Sequence, residues 1–251
     1  MQEWFETPPG RYLLAWEQAA FDGAVGDIFG YHALQLGLPE LDTLAANRMP
    51  HRWLALADAA KPRRAALVTE FAALPFTANS LDLVVLPHSL ELNTDPHATL
   101  REVERVLVPE GKVVICCLNP ASLWGLRQRR AHLVRRLGLG KLFLPDAGDF
   151  IAYRRLRDWL RLLSFEVEAG SFGCYRPAIS SEKWLARYDW MDGMGERWWP
   201  IFGAVYFLVA VKRVRGIKLI GAPWKPASGL ATAPVPLANR QQPHIQHQEH
   251  V

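Results

Sequence analysis

Two nearly continuous apolar runs, LDLVVLP at 81–87 and KVVICCLN at 112–119, constrain the fold of this chain more than any other feature. Both are short and partly β-branched, the composition of strands covered on both faces in a parallel sheet. The helix between them is marked at both ends. Asp95 can cap it and Pro96 suits its first turn. Leu100, Val103, Val106 and Leu107 share one face, and Pro109 and Gly111 stop it.

The same alternation continues on either side. Residues 10–28 place Leu13, Leu14, Ala20, Phe21 and Val25 near helical spacing, which predicts an amphipathic opening helix. HALQLG at 32–37, RWLALAD at 52–58 and AALVTEF at 65–71 read as further strands. After a basic helical region, residues 153–163 carry Leu156, Trp159, Leu160 and Leu163 on one stripe, and 165–172 and 203–213 read as closing strands. Strands alternating with helices in this way predict a doubly wound, mainly parallel α/β sheet. We expect one domain over residues 1–220. Residues 221–251, rich in Pro, Gln and His without periodicity, are expected to form a disordered tail.

Composition excludes several classes. Cys116, Cys117 and Cys174 are odd in number and two are adjacent, so they suit neither a disulfide framework nor a metal site, and point to a reducing, cytoplasmic compartment. No metal is expected, the tail histidines 244, 247 and 250 included. The first residues carry acids and prolines where a secretory signal has basic residues and an apolar core. The apolar stretch at 201–211 is about half a membrane span, so no transmembrane segment is expected. The net charge is +4, with basic residues concentrated in 127–141 and 212–218. Such segments are either solvated helix faces or surfaces for nucleic acid, anionic lipid or an acidic partner. A nucleic-acid partner is the less favoured reading, and the oligomeric state is not legible.

In open α/β sheets ligands bind at the carboxyl ends of the central strands, near the switch in strand order. That directs attention to the loops after residues 36, 70, 86 and 118. Between residues 70 and 119, Leu74-Pro75-Phe76, Leu81-Asp82, Leu90-Glu91, Asp95-Pro96, Arg105-Val106-Leu107 and Pro109-Glu110-Gly111 follow one another. In order and spacing this block resembles class I S-adenosylmethionine-dependent methyltransferases of the UbiE/methyltransferase-11 type. The resemblance extends more loosely to about residue 213, through 118–120, 123–127, 174–177 and 198–213, towards an uncharacterised proteobacterial branch. It implies a Rossmann-like, mainly parallel seven-stranded sheet, S-adenosyl-L-methionine as cofactor, and methyl transfer to a small-molecule acceptor.

The resemblance also implies roles for residues. Glu70, with backbone groups of Phe71 and Ala72, would border the adenine, and Asp58 would meet the ribose hydroxyls or be a plain loop acid. Gln35, Gly37 and Pro87 would line the rest of the cofactor site. The family's first loop reads acid-x-Gly-x-Gly-x-Gly. Here Gln35 replaces the acid, Gly37 is kept, and Pro39 and Leu41 replace the later glycines. Pro39 removes an amide donor and Leu41 adds bulk, so cofactor binding is expected to be weak, rearranged or lost. His88 and Glu91 would face the methyl-transfer zone, with His88 the candidate base or else a satisfied structural histidine. Trp124, Tyr153, Tyr175 and Arg176 are candidates for an acceptor pocket. Trp184, Trp190, Trp198 and Trp199 read as core packing or a lid. Two rival functions stay open: a lapsed methyltransferase fold serving as a binding or regulatory module, and an RNA-associated role for residues 127–141.

Overall fold

A computed structural model describes residues 2–58, 65–136, 142–144 and 150–214. The expected tail at 221–251 lies outside the described residues, as do residues 137–141 of the basic segment.

The elements run α1 (Gln2–Phe5), α2 (Pro8–Val25), β1 (His32–Leu36), β2 (His51–Leu56), β3 (Leu67–Val68), β4 (Leu81–Pro87), α3 (Ser89–Leu92) and α4 (Pro96–Val106). They continue as β5 (Leu107–Leu118), α5 (Leu123–Arg136), α6 (Tyr153–Leu162), β6 (Phe165–Gly173), α7 (Glu182–Arg187), α8 (Trp190–Trp198), a 3₁₀ turn (Pro200–Phe202) and β7 (Val205–Lys212). The seven strands form one sheet in the order β3-β2-β1-β4-β5-β7-β6. β1 to β5 are parallel neighbours, and β7 inserts antiparallel to both β5 and β6. The order reverses between β1 and β4, which makes the crevice beyond Leu36 and Pro87 the switch point.

Side chains alternate between two cores. Ala33, Leu83, Val85, Val114 and Cys116 face α2, while Leu34, Leu36, Val84, Val113 and Ile115 face α4 and α6. Helix α2 begins earlier than its apolar spacing predicts, because the Thr7 side chain caps Gly10 N and Pro8 starts the first turn. Its buried stripe is Leu13, Glu17, Phe21 and Val25, one residue per turn with a carboxylate in the middle. Helix α4 starts as expected: Asp95 Oδ1 accepts from Ala98 N at 2.9 Å, and Leu100, Val103 and Val106 are buried.

The acids and the arginine of the central block bind backbone groups distant in sequence. Asp82 Oδ2 accepts from Tyr31 N and His32 N at 2.8 and 2.9 Å, so the acid that opens β4 fixes the entry of β1. Glu102 and Arg105 on α4 clasp the loop at 74–76. Glu102 Oε1 accepts from Leu74 N at 2.8 Å, and Arg105 Nη2 donates to the carbonyls of Leu74 and Phe76 at 3.1 and 2.8 Å.

Three strands differ from expectation. β3 shrinks to two residues, and β2 ends at Leu56, before Asp58. β5 is longer, because residues 107–111 continue the strand through an irregularity, with Glu110 at φ 65°, and Leu107 pairs with Leu81. The crossover from β1 to β2, residues 37–50, runs through turns alone, where a βαβ unit ordinarily carries a helix.

Candidate functional site

The carboxyl edge brings together Leu36, Pro87 and Leu118 with the start of β7. His88 leaves β4 in a left-handed conformation, φ 54°, which turns its ring back beneath α2. Its Nδ1 lies 2.8 Å from Glu91 Oε2 and its Nε2 lies 2.7 Å from Glu17 Oε1. All three side chains are buried, and Leu118 N donates to Glu91 Oε1. Cys116 donates to Glu17 Oε1 at 3.4 Å, while Glu17 Oε2 has no hydrogen-bond partner among the described residues. Burial alone would discharge the imidazole, but the charges and hydrogen bonds of Glu17 and Glu91 outweigh it and push its pKa up to about 10. Burial raises the Glu91 carboxyl above the usual range despite its hydrogen bonds to His88 and Leu118.

This arrangement revises the expectation for His88. An imidazolium that donates from both nitrogens to buried carboxylates has no lone pair with which to take a proton from an acceptor. The group is an ion triad that locks α2 to the ends of β4 and β5. Glu17, which the sequence reading missed, completes it. Its signal was an acid at 17 in the stripe 13–17–21–25, where every other position is apolar or aromatic.

Gln35 likewise differs from its expected role. Its side chain is buried, and Nε2 donates to the carbonyls of Gly37, Leu38 and Leu41 at 3.1, 3.0 and 2.8 Å. Oε1 accepts from Thr43 N and Thr43 Oγ1 at 3.1 and 2.8 Å. The amide is therefore committed to the loop rather than presented to a ligand. Leu38, Leu41 and Leu44 fold into the core beneath α2, which explains why bulk is tolerated where the family has glycine.

The first turn after β1 keeps one of the family's glycines and loses the others. Gly37 keeps a positive φ of 76°, and a Cβ there would lie 3.2 Å from Ser89 Oγ and 3.6 Å from the Phe71 ring. The first turn thus remains glycine-dependent and close to β4. Asp58 and Glu70 are both exposed beyond the paired ends of β2 and β3, and Ala72 is exposed beside Glu70, whereas Phe71 and Pro87 are buried. At the methionine end, turns replace the helix whose N-terminus would offer free amides, and Pro39 offers none.

Three of the four acceptor-pocket candidates converge. Trp124 is buried and donates Nε1 to the Arg176 carbonyl at 2.8 Å. Arg176 pairs with Asp192 at 2.8 Å and with Asp189, and its guanidinium stands 4.4 Å over the Tyr12 ring. Tyr12 also donates to Asp192, and Tyr175 donates to the Pro200 carbonyl at 2.8 Å. These contacts build a polar-pinned cap over the carboxyl edge. Tyr153 is not part of it. It packs on the opposite face against Phe172 and Tyr206, beside a cleft of about 980 Å³ lined also by Arg157, Arg161 and Arg213. Trp184, Trp190 and Trp198 are 50, 56 and 70 % exposed, so they are not core residues.

The strand order, the single antiparallel insertion and the crevice at the β1–β4 switch define the fold of the class I S-adenosylmethionine-dependent methyltransferases. Residues 30–115, from the entry of β1 into β5, match the family described as Methyltransferase domain. S-adenosylmethionine is the cofactor of that class. Among solved structures, a methyltransferase of Archaeoglobus fulgidus is 15 % identical with a TM-score of 0.55, covering 79 % of this chain and 94 % of its own. A Thermotoga maritima protein described as a possible histamine N-methyltransferase is 16 % identical with a TM-score of 0.54, covering 80 % and 92 %. Similar curated proteins include an uncharacterized protein, YafS, of Escherichia coli, 40 % identical over 38 % of this chain and 36 % of its own. The biotin biosynthesis bifunctional protein BioHC of Saccharophagus degradans is 32 % identical over 62 % of this chain and 28 % of its own. A malonyl-[acyl-carrier protein] O-methyltransferase of Gallionella capsiferriformans is 25 % identical over 71 % and 61 %. The matched regions thus span less than two thirds of these relatives.

Proposed function

We propose that this chain transfers the methyl group of S-adenosylmethionine to a small-molecule acceptor whose attacking atom is already nucleophilic near neutral pH. The observation that carries the reading is Gly37, held at positive φ against Ser89 and Phe71 at the switch point, with Asp58 and Glu70 exposed on the neighbouring strand ends. Glu70 would accept from the adenine amino group and Asp58 from ribose hydroxyls. The backbone of Phe71 and Ala72 would flank the base. Bound there, the cofactor supplies an electrophilic methyl group. The protein's part is alignment and exclusion of water beneath the cap of Trp124, Tyr175 and Arg176. Because His88 is held protonated, the acceptor does not rely on it as a base. Carboxylates and other ready nucleophiles fit this requirement, and one relative is named a malonyl-[acyl-carrier protein] O-methyltransferase. A cytoplasmic location accords with the three buried, free cysteines.

Calorimetric titration with S-adenosylmethionine and S-adenosylhomocysteine tests the reading. Saturable micromolar binding is expected, weakened about tenfold by Glu70→Ala, the loss expected for one charge-assisted hydrogen bond. Absence of binding at millimolar ligand would overturn it. The second reading, a lapsed fold serving as a binding module, would then stand, favoured by the loop sealed around Gln35.

A further inference from the structure

Helix α5 has two unlike faces. Inward, Trp124 holds the Arg176 carbonyl, and Gln128 binds the loop at 143–144, accepting from Leu144 N at 2.9 Å and donating to Leu144 O at 3.2 Å. Outward, Leu123, Leu126 and Leu133 are 51, 53 and 62 % exposed, at spacings of three and seven residues that place them on one side. Arg127, Arg129 and Arg130 are interleaved with them and exposed. Arg127 reaches the Ala178 carbonyl and stacks on Phe143, but Arg129 and Arg130 form no ion pair with any described residue. Burying three leucines in the core is what this helix forgoes, so its outer face needs another explanation than fold stability.

The same cap continues the pattern. Asn119, just before α5, donates to the carbonyls of Ile201 and Gly203 at 2.8 and 2.9 Å, which fixes the helix start against the 3₁₀ turn. Ile201 and Phe202 of that turn are exposed, as is Trp198 before it. Apolar side chains between arginines, with tryptophan nearby, are the chemistry of a helix lying in a membrane interface.

We propose that the outer face of α5 docks this protein on an anionic lipid bilayer, arginines on the headgroups and leucines at the acyl boundary. Charge complementarity decides the occupant. A purely apolar partner would leave Arg129 and Arg130 without counter-charge, and a nucleic acid would give the three leucines no apolar counterpart. The proposal stands whether or not the protein binds S-adenosylmethionine.

The test is flotation of the full chain with vesicles of phosphatidylcholine alone and of phosphatidylcholine with phosphatidylglycerol. Partition into the anionic vesicles is expected, falling as salt rises. Arg129→Gln with Arg130→Gln should weaken it roughly 30-fold, the value for two basic residues at an anionic surface. Leu126→Gln with Leu133→Gln should abolish it at high salt, where the arginines are screened. Both pairs lie on the exposed face, and unchanged thermal unfolding would confirm that they fold. Three results would overturn the proposal: no preference for anionic vesicles, equal partition of wild type and variants, or displacement from vesicles by a short RNA that the leucine variant still binds. A wild-type dimer that the leucine variant breaks, without vesicle binding, would assign the face to a second copy instead.

Discussion

Replacing His88 with asparagine is expected to lower the unfolding free energy by about 3–5 kcal/mol, the cost of removing one partner from a buried ion group. Asparagine tolerates the left-handed backbone that His88 adopts, so the loss reports on charge rather than on strain. With the imidazolium gone, Glu17 and Glu91 face each other across a buried space, and Glu17 already has one oxygen without a partner.

The pH dependence separates this account from a simple packing defect. The folded pKa of His88, about 10, lies above the unfolded value near 6.5. Its contribution to stability is therefore complete below about pH 6.5 and is lost as pH rises through 10. Burial also raises the pKa of Cys116, Cys117 and Cys174, whose unfolded forms ionise near pH 8.5, so wild type loses stability there for a second reason. Urea unfolding at pH 6, 7, 8 and 9 resolves the two. Wild type should lose stability already between pH 6.5 and 8, below the thiol range, because of His88, whereas in His88→Asn the loss comes from the buried carboxyls left without a cation and begins at lower pH. Wild-type stability constant from pH 6.5 to 8 would mean that His88 is not held protonated.

How legible this was differs from one element to the next. Strands β4 and β5 and helix α4 announce themselves, since burial on both faces and a capped start leave marks in consecutive residues: 81–87, 112–119 and Asp95-Pro96. Asp82 and Arg105 were visible as motif letters, but their reason was not, because the carbonyls and amides they bind lie 29 to 51 residues away. Glu17 was hidden for the same reason: its partner His88 is 71 residues distant. Of the two readings open for the tryptophans, exposure removes core packing for Trp184, Trp190 and Trp198, because nothing local shows whether a helix such as α8 is roofed over. The family pattern misled most at position 35. It places Gln35 in the cofactor site, whereas the structure commits the amide to hydrogen bonds within its own loop.

That difference yields the second large effect. Gln35→Glu restores the acid that the family pattern places there, and resemblance alone would predict a repaired cofactor site. The structure predicts the reverse. Nε2 donates to three carbonyl oxygens, and a carboxylate oxygen in its place would donate to none and repel all three. Thr43 could still donate from its amide and hydroxyl to the other oxygen. The loss is the hydrogen bonds of two amide protons shared among three carbonyls, at about 1 kcal/mol per proton, together with the penalty of a buried charge, so destabilisation of about 3–5 kcal/mol is expected at pH 8. Burial raises the carboxyl's folded pKa above its unfolded value, so the penalty should shrink as pH falls towards 5, where protonation removes the charge and returns one donor. Urea unfolding of wild type and variant at pH 5 and 8 measures this. A variant as stable as wild type at pH 8, with tighter S-adenosylmethionine binding, would show that the loop opens readily and that Gln35 occupies a ligand position after all. A destabilised variant without gain in affinity would show that this chain has rebuilt its first loop as part of the core, and that cofactor recognition rests on Gly37 and the acids beyond β2 and β3.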